Sequence, residues 1–133
     1  MYLFDTDTLS EVHRRVPSPR LLTRLATVLP EQQFATVITV GEMVYGAYKS
    51  AKREHLPQQL QERVWPHVRI LAFDRSAAET YGPLRAQLER AGIPLSEPDM
   101  RIAAIALTHD LIVVTGNTRH FRRVEGLRAE DWM

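Results

Sequence analysis

Short apolar runs alternate with longer stretches of helical periodicity along this chain. Four runs are rich in aromatic and β-branched residues: Tyr2 to Phe4, Phe34 to Thr39, Val68 to Phe73 and Leu111 to Thr115. The last reads Leu-Ile-Val-Val-Thr, apolar without alternation, as expected of a strand covered on both faces. Helical patterns lie between the runs. Ser18-Pro19 has the form of an N-cap followed by proline at the first helical position, and Leu21, Leu22, Leu25, Ala26 and Leu29 then share a stripe. Ala77, Tyr81, Leu84 and Leu88 recur at helical spacing, with Asp74 as the cap, Gly92 as the stop and Pro83 as a kink. Ile102 to Leu107, alanine and aliphatics only, predicts a buried helix. The closing Glu130 to Met133 is too short to assign. Strands alternating with helices predict an α/β fold on a mostly parallel sheet of four to five strands flanked by helices. No repeat, low-complexity tract or long linker divides residues 1–133, so one domain is expected.

Composition narrows the function without naming it. A chain of 133 residues has room for one core, and its 44% hydrophobic and 25% charged residues are those of an ordinary globular protein. It has no cysteine, which excludes disulfides, thiolate zinc sites and thiol nucleophiles. The start, Met1-Tyr2-Leu3-Phe4-Asp5, lacks a signal-peptide pattern, and no apolar stretch approaches the roughly 18 residues of a membrane span. A cytoplasmic location is the expectation. The formal net charge of +1 is too mild to indicate a nucleic-acid partner. Basic residues do cluster at Arg14-Arg15, Lys49 to Arg53 and Arg119 to Arg123, which fits local phosphate contacts and solvated helix faces equally.

The chemistry gathers where predicted strands end. Asp5 directly follows the first run, Glu42 comes three residues after Thr39, Asp99 opens the buried helix, and Asn117 lies two residues past the last strand. Open α/β sheets bind ligands outside the carboxyl ends of their strands, so Asp5, Glu42 and Asn117 share one side of the domain. Asp99 joins them only if its helix begins there. Carboxylates gathered in a partly dry cleft must take up protons or bind a cation. Oxygen donors without histidine or thiol partners suit Mg²⁺ or Mn²⁺, and such an ion assists hydrolysis of a phosphate ester. Each acid also has a plain structural reading. Thr39-Val40-Gly41-Glu42, Ser96-Glu97-Pro98-Asp99 and Thr8-Leu9-Ser10-Glu11 all have the spacing of a capping box. Asn117 alone is compatible with a turn residue. Asp5, with Asp7 beside it, has no basic partner nearby in sequence.

Four segments occur in an order that resembles the PIN-domain ribonuclease toxins called VapC: Phe4-Asp5-Thr6-Asp7, Ile38 to Gly46, Asp99 to Ala104, and Val114 to Phe121. The tail from Val124 through Trp132 is similar as well, so the resemblance spans the chain. It implies a PIN-like fold and a Mg²⁺- or Mn²⁺-dependent endoribonuclease, with Asp5 and Asp99 as chief metal ligands and Glu42 as general base or as a ligand through water. It further implies an RNA substrate, often transfer RNA, a VapB-like antitoxin that silences the enzyme, and a toxin homodimer. Many relatives carry a further acid in the segment matching Asn117 to Phe121. Here that segment offers only Asn117 and His120; Asp5, Glu42 and Asp99 support one cation, with Asn117 lending its amide oxygen or orienting a water, and a second is put in question. His120 is a candidate for the scissile phosphate or for proton donation.

The expected reaction is attack of water, rather than of the 2′-hydroxyl, in line with the leaving 3′-oxygen, which leaves a 5′-phosphate. Arg14, Lys49, Lys52 and Arg119 are candidates for backbone phosphates. Tyr45 and Lys49 follow Glu42 by one and two helical turns, so Tyr45 is placed to stack a base or to fill the core. Two alternatives remain. Phe4-Asp5-Thr6-Asp7-Thr8-Leu9 matches the opening motif of haloacid-dehalogenase-like phosphatases, although Val114-Thr115-Gly116-Asn117 lacks the paired acids that family needs. The other is a non-catalytic PIN-like module that only binds RNA or protein.

Overall fold

The computed structural model describes all 133 residues. Five short strands, β1 (Tyr2–Phe4), β2 (Gln33–Thr36), β3 (Arg69–Leu71), β4 (Ile112–Val114) and β5 (Ala129–Glu130), form one sheet in the order β3-β2-β1-β4-β5. Every pairing is parallel, as the alternation of strands and helices requires. The helices are α1 (Thr6–Val12), α2 (Pro19–Leu25), α3 (Val37–Lys49), α4 (Leu56–Gln59), α5 (Arg75–Arg90), α6 (Glu97–Thr108) and α7 (Thr118–Phe121).

Strand periodicity sends neighbouring side chains to opposite faces, and the core divides accordingly. Leu3, Phe34 and Val113 point into a cluster of 16 buried residues shared with α5, α6 and α7. Phe4, Ala35 and Val114 point into a second cluster of 8 that holds Leu9, Leu21, Val64 and Trp132. The sheet is thus covered on both faces, which explains the unalternating apolar run before Thr115.

Several expected boundaries hold for local reasons. Ser18 Oγ accepts from Leu21 N–H at the start of α2, and Asp74 Oδ1 accepts from Ala77 N–H at 3.0 Å at the start of α5. α5 continues through Pro83 to Arg90, and just beyond its C-cap Ala91 the φ of +68° at Gly92 lets Ile93 N–H reach Leu88 O at 2.9 Å and close a Schellman motif. Other boundaries differ. α2 ends at Leu25, with Ala26 as its C-cap, so Leu29 lies beyond the helix and is exposed along with Leu22. The second apolar run is strand only to Thr36, because the Thr36 hydroxyl accepts from Thr39 N–H at 3.2 Å and starts α3. Val37, Ile38 and Thr39 are therefore helical. Likewise the first helix is capped by Asp5, not Thr8, through Thr8 N–H to Asp5 Oδ1 at 2.9 Å. The capping boxes read at Thr39–Glu42 and Thr8–Glu11 are not formed. The terminal residues contribute a fifth strand that their length had concealed.

Candidate active site

The order β3-β2-β1-β4-β5 reverses direction between β1 and β4, and beyond the carboxyl ends of these two strands the connections part to opposite sides and leave a crevice. Asp5 stands directly after β1, and Thr115 directly after β4. Asp5 is only 5% exposed, and burial raises its carboxyl above the ordinary carboxylate range. The Thr115 hydroxyl beside it and the Thr8 N–H offset part of that rise, while the charge of Asp7 adds to it. Thr115 Oγ1 also accepts from Asn117 N–H at 2.9 Å, which fixes the turn that carries Asn117.

Glu42 projects from α3 toward α1, where the Thr6 hydroxyl donates to Glu42 Oε1 at 2.6 Å. Thr6 Oγ1 also lies 3.1 Å from the fully buried Thr39 Oγ1, which fixes the approach of the two helices beside Asp5. Glu42 is therefore held by a side chain of the β1–α1 turn and is not part of a cap. Asp99 comes from the third position of α6, whose N-cap is Ser96; the Ser96 hydroxyl accepts from Asp99 N–H at 3.3 Å. α6 runs antiparallel to the strand it feeds, so its first turn reaches the carboxyl edge of the sheet, and the placement left open by sequence is resolved. Partial burial raises the Asp99 carboxyl, the Ser96 hydroxyl bond lowers it, the charges of Glu42 and Asp7 raise it, and His120 lowers it. Asp99, Asn117 and His120 line one open cleft of about 430 Å³ with Pro94, Leu95 and Ser96.

The structure thus brings Asp5, Glu42, Asp99 and Asn117 to one edge, with His120 beside them. Asp7, Thr6 and Thr115 complete the setting. Asp7 was visible as a second acid next to Asp5, but the two threonines carry no sequence signal beyond adjacency to the strand ends. The candidate RNA contacts scatter. Tyr45 is 65% exposed, with Lys49 Nζ 5.7 Å from its ring centre, so the two form one exposed ridge on α3 and Tyr45 is not a core residue. Lys52 lies in the turn after that helix, its N–H bound to Ser50 Oγ, and Arg119 is exposed on α7. Arg14 is paired with Glu11 at 3.0 Å and lines a separate hollow with Gln59 and Arg63.

No three His, Asp or Glu side chains converge tightly enough to enclose an ion by themselves. The donor set still fits a hard divalent cation. None of Asp5, Asp7, Glu42 and Asp99 takes part in the ion pairs of the structure, so their charge is uncompensated by protein. Open oxygen sites with few carboxylates and room for several waters are the usual form for Mg²⁺ and Mn²⁺.

Comparison with known proteins agrees with this geometry. The model of the PIN domain family matches residues 2–127. The tRNA(fMet)-specific endonuclease VapC of Shigella flexneri is 42% identical over 95 residues, 71% of each chain. Ribonuclease VapC2 of Haemophilus influenzae is 33% identical over 132 residues, 99% of this chain and 98% of the relative. Among solved structures, DNA-bound VapBC from Salmonella typhimurium superimposes with a TM-score of 0.86 at 30% identity, covering 99% of this chain and 98% of that one.

Proposed function

The chain belongs to the PIN-domain family, and from that premise we propose that it is a Mg²⁺- or Mn²⁺-dependent endoribonuclease, the toxin of a VapBC-type pair. The observation that supports the reading is that Asp5, directly after β1, Glu42, tied to Thr6 of α1, and Asp99, in the first turn of α6, all stand at the carboxyl edge of the sheet and that none of them is in an ion pair. Clustered carboxylates repel an RNA backbone unless a cation stands between them, so the cluster serves chemistry and not mere binding. The phosphatase alternative loses its basis, because the turn after β4 supplies Thr115, Gly116 and Asn117 and no acid.

Asp5 and Asp99 would hold the cation, with the Asn117 amide available beside Asp99. When bound, the cation supplies Lewis-acid polarisation of the phosphodiester and neutralises the charge gathering on it. The protein's own part is placement and proton transfer. Thr6 orients the Glu42 carboxylate, which accepts the proton of the attacking water. The Thr8 N–H, bound to Asp5 Oδ1 at 2.9 Å, anchors the Asp5 carboxylate. The Tyr45–Lys49 ridge, seated on the same helix as Glu42, offers a ring for a base and an ammonium for a phosphate. Arg119, exposed on α7, is a further cation for a backbone phosphate.

The names of the VapC relatives support transfer RNA as substrate and a VapB-like antitoxin as partner, and the proposal includes a toxin homodimer inside that complex. A transfer-RNA substrate and an antitoxin partner fit work in the cytoplasm, which is part of the proposal; no helix is long and apolar enough to cross a membrane. The test is incubation of purified protein with total bacterial transfer RNA, with Mg²⁺ or Mn²⁺, with EDTA, and with Asp5→Asn alongside. Discrete fragments bearing 5′-phosphates, lost with EDTA and with the variant, are expected. Products ending in 2′,3′-cyclic phosphate, or cleavage that persists in EDTA, would refute the mechanism. Metal-loaded, folded protein that binds transfer RNA and cuts none would favour the non-catalytic module.

A further inference from the structure

His120 stands on α7 between two fixed points. Asn117 N–H is bound to Thr115 Oγ1 at the start of the helix, and Phe121 is fully buried at its end. Arg119 turns outward and is exposed, while His120 is half-buried and lines the same cleft as Asp99 and Asn117. Its ring takes part in none of the ion pairs of the structure, so it stands in the cleft without an acidic partner holding it. Nor does the Asn117 side chain act as a helix cap. The cleft wall therefore presents a carboxylate, an amide and an imidazole side by side.

Resting on the metal-dependent reading above, we propose that His120 supplies a nitrogen donor to the cation held by Asp99, so that this cleft takes Mn²⁺ in preference to Mg²⁺. The chemistry of the donors is the reason. Mg²⁺ is small and hard, sheds water reluctantly and selects oxygen ligands. Neutral imidazole is a softer donor that favours transition-metal ions over Mg²⁺. An all-oxygen cleft would treat the two ions much alike, whereas one imidazole in the first coordination sphere separates them. Asp99 and His120 line the same cleft together with Asn117, so one ion in that cleft faces both the carboxylate and the ring. The short α7 leaves no slack to carry the ring away, because its last residue is pinned in the core.

The test reads the bound ion directly, independent of cleavage. Full-length protein loaded with one equivalent of Mn²⁺ is examined by electron spin echo envelope modulation, and Mn²⁺ and Mg²⁺ affinities are measured by calorimetry. The expected result is a ¹⁴N modulation from a directly bound imidazole that disappears in His120→Gln. That variant should lose roughly tenfold or more in Mn²⁺ affinity and little in Mg²⁺ affinity, the scale typical of removing one group from a metal site. His120→Glu restores a charged oxygen donor: it should keep bound Mn²⁺ without the modulation and narrow the Mn²⁺ over Mg²⁺ ratio. Mn²⁺ bound stoichiometrically without a ¹⁴N signal in the unsubstituted protein overturns the proposal and leaves the metal-dependent nuclease standing. Failure of the unsubstituted protein to bind any Mn²⁺ overturns both.

Discussion

Asp5 does two jobs that pull against each other. Its Oδ1 caps α1 through Thr8 N–H, which favours folding, while its charge sits in a buried position next to Asp7, which opposes it. Asparagine keeps the capping oxygen and removes the charge. The folded-state pKa of Asp5 is raised, so folded protein holds its proton to a higher pH than unfolded chain does. Stability is therefore unpenalised below the unfolded carboxyl pKa and is lost as pH rises through the raised folded value. Asp99, raised by partial burial and by Glu42 and Asp7, adds a loss of the same sign. Asp5→Asn is expected to match the unsubstituted protein in acid and to melt at higher temperature near neutrality, measured in EDTA from about pH 4 to 8. Asp5→Ala, which also loses the cap, should be less stable than Asp5→Asn by about 1 kcal/mol at every pH. Equal melting temperatures for Asp5→Asn and the unsubstituted protein at neutral pH would mean that the buried charge carries no cost.

At the scale of elements, the site depends on where α1, α3 and α6 begin, and sequence resolves these starts unevenly. Ser18 and Ser96 are legible as caps because a proline follows within the first two helical positions, and Asp74 because it stands between an apolar run and the helical stripe that begins at Ala77. Around α1 and α3 the cap lies three residues before the one with the capping-box spacing: Asp5 before Thr8, Thr36 before Thr39. Val37, Ile38 and Val40 are strand formers by preference, so the apolar run gives no sign that the chain has turned helical at Val37. The identity of the acids survived this error, because a shift of three residues along a helix start leaves Glu42 near the same edge. Their settings did not, since Thr6 to Glu42 and Thr115 to Asp5 are contacts between segments far apart in the chain. Ser96 tests the element directly. Ser96→Ala removes the acceptor of Asp99 N–H and should cost about 1 kcal/mol in denaturant unfolding, with weaker Mn²⁺ binding as the first turn of α6 loosens. Ser96→Thr should restore both. Unchanged metal affinity in a measurably destabilised Ser96→Ala would separate the cap from the site.

Across the whole molecule, the edge that carries the candidate site and the least legible segment are joined. β5 is only two residues long and its tail is short, yet Trp132 is 4% exposed and packs edge-on against Tyr2 and Phe4 at centroid distances of 4.8 and 5.7 Å. Its indole N–H donates to Glu130 Oε1 at 3.0 Å, and Arg24 of α2 covers its face at 5.1 Å while pairing with Glu130. Beyond it, the Met133 side chain lies over Gly116, beside Asn117, and the Met133 carbonyl accepts from Arg20. A tail so short offers no periodicity to read; its place is set by a sheet edge beside β4 and an aromatic pocket that exist only once the rest has folded. Truncating a buried tryptophan removes its transfer energy and leaves a cavity, at a cost of about 3–5 kcal/mol. That is a large share of the roughly 5–15 kcal/mol that holds a domain of this size together. Trp132→Ala is accordingly expected to lower the denaturant midpoint sharply, and Trp132→Phe, which keeps the aromatic contacts and loses the N–H bond, by about 1 kcal/mol. A loss under about 1 kcal/mol in Trp132→Ala would mean that the tail merely rests on a finished domain. The larger loss would make it part of the second core, a closing strand that braces α2, the end of β1 and the turn carrying Asn117 in a single contact.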